Sequence, residues 1–144
     1  MSRRRETVSE IRVRYAETDQ MGVVYHTHYL VWCEVGRTDY IREMAMPYAQ
    51  LEREGCVLAV ADVHIRYVAA AQYDDVVRVR TWIERVQSRA VTFGYELTRE
   101  HGGASERIAS ASVKLIALDR SGVPRTLPAT LLKRFREEVA PVPS

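Results

Sequence analysis

Apolar and polar residues alternate along much of this chain, and one long stretch follows helical spacing instead. Ile11, Val13 and Tyr15 alternate with Arg12 and Arg14, predicting a short strand whose apolar side, Tyr15 included, faces a core. The charged residues 1–7 before it read as a loose start. Glu17-Thr18-Asp19-Gln20-Met21-Gly22 is rich in turn formers. From residue 28 to 44 there is no proline, and Leu30, Cys33, Tyr40, Ile41 and Met44 recur at helical spacing. This predicts one long helix with Thr27 as N-cap and Pro47 beyond its end. Gly36 falls mid-helix, where glycine costs roughly 1 kcal/mol relative to alanine. The usual compensation is close approach of another backbone, as when a helix is pressed onto a sheet.

After Gly55 the period becomes two. Ala59, Ala61, Val63, Ile65 and Tyr67 form one apolar face, Val77 to Ile83 a second, Val91 to Leu97 a third, and residues 108–118 a fourth. The short polar turns between them suggest an antiparallel meander. The Ala109, Ala111, Val113, Leu115, Ala117 face is small enough to leave room for something bulky. Asp119-Arg120-Ser121-Gly122 is a turn, and residues 128–139 place Leu131, Leu132, Phe135 and Val139 on one face of a terminal helix. Residues 140–144 read as a loose end. The order is strand, long helix, four strands, short helix. That is an α+β layer architecture, a single domain over residues 1–144 with one helix packed on a five-stranded antiparallel sheet. One helix cannot cover both faces of such a sheet, so uncovered apolar surface and an unpaired edge strand favour self-association.

Composition narrows the classes. The 144 residues are 47% apolar and 28% charged, which excludes a wholly disordered chain. With 21 basic against 19 acidic residues, net charge +2, the balance does not imply a nucleic-acid partner. No apolar run approaches the roughly 18 residues of a membrane span, and no apolar signal region follows the basic start. Cys33 and Cys56 lack metal-type spacing and read as free thiols in a reducing compartment. A cytoplasmic location is the expectation.

Candidate chemistry concentrates in residues 15–37, YAETDQMGVVYHTHYLVWCEVGR. Asp19 lies on a loop just before the helix. His26 lies at the helix start, where the first backbone N–H groups have no internal partner and carry partial positive charge. Such donors can stabilise a carbonyl oxygen that becomes negative under attack, while a nearby carboxylate attacks or activates water. Together these parts suit acyl transfer to water. Each also has a plain reading: Asp19 as a turn or capping residue, His26 as a hydrogen-bonded structural histidine, Trp32 and Trp82 as packing residues.

The run RYAETDQMGVVYHTHYLVWCEVGR resembles the signature of the YbgC-like, 4-hydroxybenzoyl-CoA thioesterase family, most densely over residues 11–46. That resemblance implies the hotdog fold, a long helix wrapped by a five-stranded antiparallel sheet and paired across two chains. It implies an acyl-CoA thioesterase, or one acting on an acyl carrier protein thioester. It places Asp19 as the catalytic carboxylate, acting as nucleophile or general base, and the His26 backbone N–H as the donor to the thioester carbonyl. The His26 side chain and Tyr15 match residues implicated in the same branch. Gly22 matches the loop glycine, and Val23, Tyr25 and His28 belong to the same substrate-facing segment. His28 stands where the family commonly has asparagine, which touches the local cap and one hydrogen bond. A metal reading of Asp19, His26 and His28 fits poorly, because an H-x-H pair shares a face on a strand and this segment enters a helix. Basic residues at the turn between the third and fourth strands contact the nucleotide in related enzymes. Here that turn offers Arg85, Ser88 and Arg89. No cofactor or metal is expected, and a homodimer at minimum, extending to a homotetramer, is. The competing readings are a non-catalytic acyl-CoA-binding or partner module of the same fold, and dehydration of a hydroxyacyl thioester.

Overall fold

A computed structural model describes residues 5–44 and 48–139. Strand β1 (Thr7–Arg12) leads through a 3-10 turn (Tyr15–Glu17) to helix α1 (His28–Glu43) and a short helix α2 (Tyr48–Arg53). Strands β2 (Val57–Tyr67), β3 (Val76–Gln87), β4 (Ala90–His101) and β5 (Ala104–Leu118) follow, then helix α3 (Ala129–Glu138). The five strands form one antiparallel sheet in the order β1-β3-β4-β5-β2. This is the expected α+β fold. Helix α2 escapes the sequence reading, and Pro47 and residues 140–144 lie outside the described residues.

The alternating strands bury one face beneath α1. Val77, Val79, Thr81 and Ile83 of β3, Val91 to Leu97 of β4, and the small β5 row all lie inward. On the neighbouring strand β4 aromatic rings fill the core: Phe93 meets Tyr40 of α1 edge-on at 5.6 Å and Phe135 of α3 at 6.1 Å. Gly36 behaves as its position predicts. A Cβ there would overlap the Thr81 hydroxyl and lie 3.0 Å from Val79 Cγ1. The Thr81 and Val79 side chains of the sheet press directly on the helix backbone. On the outer face the indole of Trp82 lies across Gly94, and the Arg80 guanidinium sits 5.8 Å from its ring centre. Cys33 and Cys56 are free and buried, and burial pushes the Cys33 thiol up to about 12.

Four expectations change. Only β3, β4 and β5 form a meander; β2 crosses to the far edge beside β5 rather than pairing with β3. The simple alternation of β2 is broken by a bulge between Val60 and Asp62. Before it Leu58 and Val60 share the inward face, after it Val63, Ile65 and Tyr67 do, and Ala61 is the extra residue. Of the expected loose start, residues 1–4 lie outside the described residues and the remainder is tied down. Thr7 is buried and donates to Glu43 at 2.8 Å, Ser9 donates to Asp39 at 2.6 Å, and Arg5 pairs with Glu43 and Glu138. Tyr15 does not face the core. It is 76% exposed, because the chain leaves β1 at Arg12 and turns into the 3-10 segment.

Among the described residues the sheet has two edge strands, β1 paired only with β3 and β2 only with β5. Val60 and Val63 of β2 stand exposed beside Val31 of α1, and Val35 is exposed one turn further along that helix.

Candidate active site

The site is built from the bottom of the loop upward. The 3-10 turn is closed by Glu17 N–H donating to Arg14 O at 3.0 Å and Thr18 N–H to Tyr15 O at 3.0 Å. A tight hairpin follows, with Thr18 bridged to Val24. Asp19 N–H donates to Val23 O at 2.8 Å, Gly22 N–H donates back to Asp19 O at 3.0 Å, and Met21 N–H donates to Asp19 Oδ1 at 2.8 Å. Gly22 takes φ +79°, a left-handed turn position where a side chain is strained. Asp19 therefore does act as a turn residue through one carboxylate oxygen. Its side chain is nonetheless exposed at the hairpin tip.

The hairpin exit runs into α1. Val24 N–H donates to Ala71 O and Tyr25 N–H to Glu17 O, both at 2.9 Å. His28 N–H donates to Tyr25 O at 3.0 Å, which fixes the peptide that carries the His26 N–H. Tyr67 Oη donates to His26 O at 3.0 Å, which fixes the next peptide, carrying the Thr27 N–H. Two successive peptide planes are thus oriented, and among the described residues no acceptor meets either N–H. Thr27 is the N-cap residue, but its backbone is already helical and its hydroxyl makes no capping bond. These are the donors a developing oxyanion requires.

The side chains sort differently from the sequence reading. The exposed His26 ring lies 4.5 Å from Tyr25 and meets Tyr67 edge-on at 6.1 Å. Tyr15 packs edge-on against Tyr73 at 5.8 Å. Val23 bridges to Gln72, Tyr25 is half exposed, and His28 opens α1 half-buried. Among the described residues no three His, Cys, Asp or Glu side chains gather as metal ligands.

Glu17 is the residue that sequence reasoning missed. It is buried, its Oε1 accepts from Arg14 N–H at 2.8 Å, and its Oε2 accepts from the Trp32 indole N–H at 3.0 Å. Burial pushes its carboxyl up, but those two bonds, the Arg14 charge and the nearby His28 outweigh burial and hold it below the ordinary 4.5. Tyr29 is a second missed residue. It accepts from Ala71 N–H at 2.9 Å and stacks near Trp32 and Tyr67, and burial raises its hydroxyl. The sequence shows an acid two residues before Asp19 and aromatics at one-turn spacing on α1, but not that the two meet.

The proposed nucleotide contacts lie elsewhere. Ser88 and Arg89 form the β3–β4 turn, where they line a groove of about 330 Å³ with Lys114 of β5, a residue the sequence reading did not name. Arg85 sits at a β3 bulge and does not line that groove. The Asp19 hairpin contacts Gln72, just before β3 begins, whereas Ser88 follows its end. Twelve strand residues, roughly 40 Å of β-strand, separate the two within one chain.

Comparison with known proteins places this arrangement. The sequence matches the thioesterase-like superfamily over residues 13–143. The chain belongs to that superfamily. It is similar to the "Putative acyl-CoA thioesterase YneP" of Bacillus subtilis, 41% identical over 72% of this chain and 75% of that protein. It is also similar to the acyl-CoA thioesterase YbgC of Haemophilus influenzae, 33% identical over 76% of this chain and 78% of that one. Among solved structures, a DHNA-CoA thioesterase from Staphylococcus aureus superposes with a TM-score of 0.82 at 34% identity, covering 92% of this chain and 87% of that one. The sheet wrapped on α1 is the hotdog fold of these thioesterases, and the superfamily member described here is a thioester hydrolase.

Proposed function

We propose that the chain hydrolyses an acyl-CoA thioester to a free acid and CoA. The observation that carries this is the exposed Asp19 carboxylate on a hydrogen-bonded hairpin that leads into two oriented N–H groups at the start of α1, which meet no acceptor among the described residues. The thioester oxygen accepts from the His26 N–H. Asp19 either attacks the carbonyl carbon itself, giving an anhydride that water then cleaves, or removes a proton from the attacking water. In both routes the C–S bond breaks and the CoA thiolate leaves and takes up a proton. The His26 ring and Tyr15 flank the acyl entrance, and Gly22, Val23, Tyr25 and His28 shape the segment around it.

The CoA end needs a second copy. Within β2, Tyr67 is bonded to His26, while Val57 pairs with Leu118 at the end of the sheet that holds the Ser88–Arg89 turn. Two-fold antiparallel pairing of β2 edges sets one protomer's Tyr67 end against the partner's Val57 end. That brings a partner's Ser88, Arg89 and Lys114, with Arg85 nearby, toward this chain's Asp19. It also covers the exposed valines of β2 and α1. A homodimer is therefore the functional unit in this reading, with the tetramer a pairing of dimers. The two unpaired thiols fit a cytoplasmic setting.

The test is thiol release from acetyl, medium-chain, long-chain and aromatic acyl-CoAs by the wild type and Asp19→Asn. Hydrolysis that falls about 10²–10⁴-fold in the variant supports the reading and names the acyl class. Binding without hydrolysis by the wild type overturns it in favour of a non-catalytic acyl-CoA-binding module.

A further inference from the structure

Glu17 buries a carboxylate, which is costly unless directional partners compensate. Its partners come from two different elements: the Arg14 N–H at the entrance to the 3-10 turn and the Trp32 indole N–H inside α1, at 2.8 and 3.0 Å. Its carbonyl takes the Tyr25 N–H from the hairpin exit. One residue thus joins entrance, exit and helix. The side chain is not needed to form the hairpin. Residues 117–125 close a hairpin with the same backbone bonds, including Arg125 N–H to Ala117 O at 3.0 Å, and there the position equivalent to Glu17 is Ala117. What the carboxylate adds is attachment of the hairpin to α1.

We propose that Glu17 is a positioning residue, clamping the Asp19 hairpin onto Trp32 so that the carboxylate keeps a fixed offset from the N–H groups at the helix start. The proposal rests on Asp19 being the catalytic carboxylate. A misplacement of about 1 Å between reacting groups can cost on the order of 10²-fold in rate. Loss of the clamp therefore appears in kcat and leaves the rest of the binding surface intact.

The experiment compares full-length wild type, Glu17→Gln, Trp32→Phe and each of these combined with Asp19→Asn, on the best acyl-CoA of the panel. Glu17→Gln is expected to lower kcat by about 10- to 100-fold with KM within about twofold, and Trp32→Phe to lower it less. In the Asp19→Asn background either change is expected to cost less than about twofold more, because nothing remains to be positioned. Amide exchange over residues 18–25 is expected to quicken in both single variants, while exchange over 118–125 stays as in wild type. Unchanged kcat in both single variants, or full losses that multiply with Asp19→Asn, overturns the proposal. If Glu17→Gln fails to fold, Trp32→Phe carries the same test. If the wild type hydrolyses nothing, the thioesterase reading fails. The exchange measurement then still decides the clamp, and unchanged exchange overturns it.

Discussion

The chain contains two hairpins of the form D-x-x-G-V, at residues 19–23 and 119–123, and they are nearly the same object. In both, the aspartate N–H donates to the valine carbonyl at 2.8 Å and the glycine N–H donates to the aspartate carbonyl at 3.0 Å. In both, Oδ1 accepts the N–H two residues on at 2.8 Å, and the glycines take φ +79° and +82°. Thr18 bridges Val24 as Leu118 bridges Pro124. The differences lie around the loop. Asp119 Oδ1 also accepts from Val123 N–H, and its hairpin leads through two prolines, Pro124 and Pro128, into α3. Arg120 beside it covers the carbonyls of Glu52 and Arg53 at the end of α2. Asp19 stands over a buried glutamate, Glu17, and its hairpin leads through the oriented His26 and Thr27 peptides into α1. The motif therefore encodes a turn, and the two copies differ in what surrounds the carboxylate.

The largest expected effect separates the two aspartates. Asn keeps the Oδ1 acceptor in either hairpin, so Asp19→Asn and Asp119→Asn both retain the turn. Thiol release is expected to fall about 10²–10⁴-fold in the first and to stay within about twofold of wild type in the second. Equal losses would end the distinction between the loops. Next, mixing Asp19→Asn with Arg89→Ala protomers, each impaired alone, is expected to restore activity from about a quarter of all sites, since half the dimers are mixed and each carries one intact site. Absence of recovery would place Arg89 outside the site served by Asp19. His26→Ala is expected to cost less than Asp19→Asn, because the backbone N–H survives. A loss as deep as that of Asp19→Asn would assign the imidazole itself an essential part.

The paired glycines test the shared part of the comparison. Gly22→Ala and Gly122→Ala are each expected to destabilise the fold by about 1 kcal/mol in denaturant melts, as both sit at positive φ, with kcat falling only in the first. The smallest effect is on pH dependence. The Glu17 carboxyl lies below 4.5 when folded, so its ionised form favours the native state above that pH, and the contribution fades as pH falls through the depressed value. Glu17→Gln is expected to flatten stability against pH on the acid side of 4.5, whereas Asp119→Asn serves as the comparison outside the clamp.

Much of this was legible in the sequence because it is local. The spacing of Cys33, Tyr40 and Ile41 fixed α1, alternation fixed five strands, and Gly36 announced close packing because a helix rarely tolerates glycine without a neighbour. The place of β2 was not legible, since alternation does not say which edge a strand joins. Nor was its bulge, because one extra residue at Ala61 shifts the inward set without changing composition. Tyr15 was misplaced because alternation continues past Arg12 although the ladder with β3 ends there. The turn at Asp19 and the position of His26 just before the helix start were readable from the motif. Glu17 was not, because its meaning depends on Trp32 lying over it, fifteen residues away.

The contact at Gly36 has a consequence for how α1 is seated. With the Thr81 hydroxyl pressed against the helix backbone, α1 has no slack to slide or roll on the sheet. The start of α1 is therefore held in register with the sheet. Tyr67 of β2 ties the segment just before α1 through the His26 carbonyl, so two separate strands, β3 and β2, seat one helix, and a change at either seat is felt at the other.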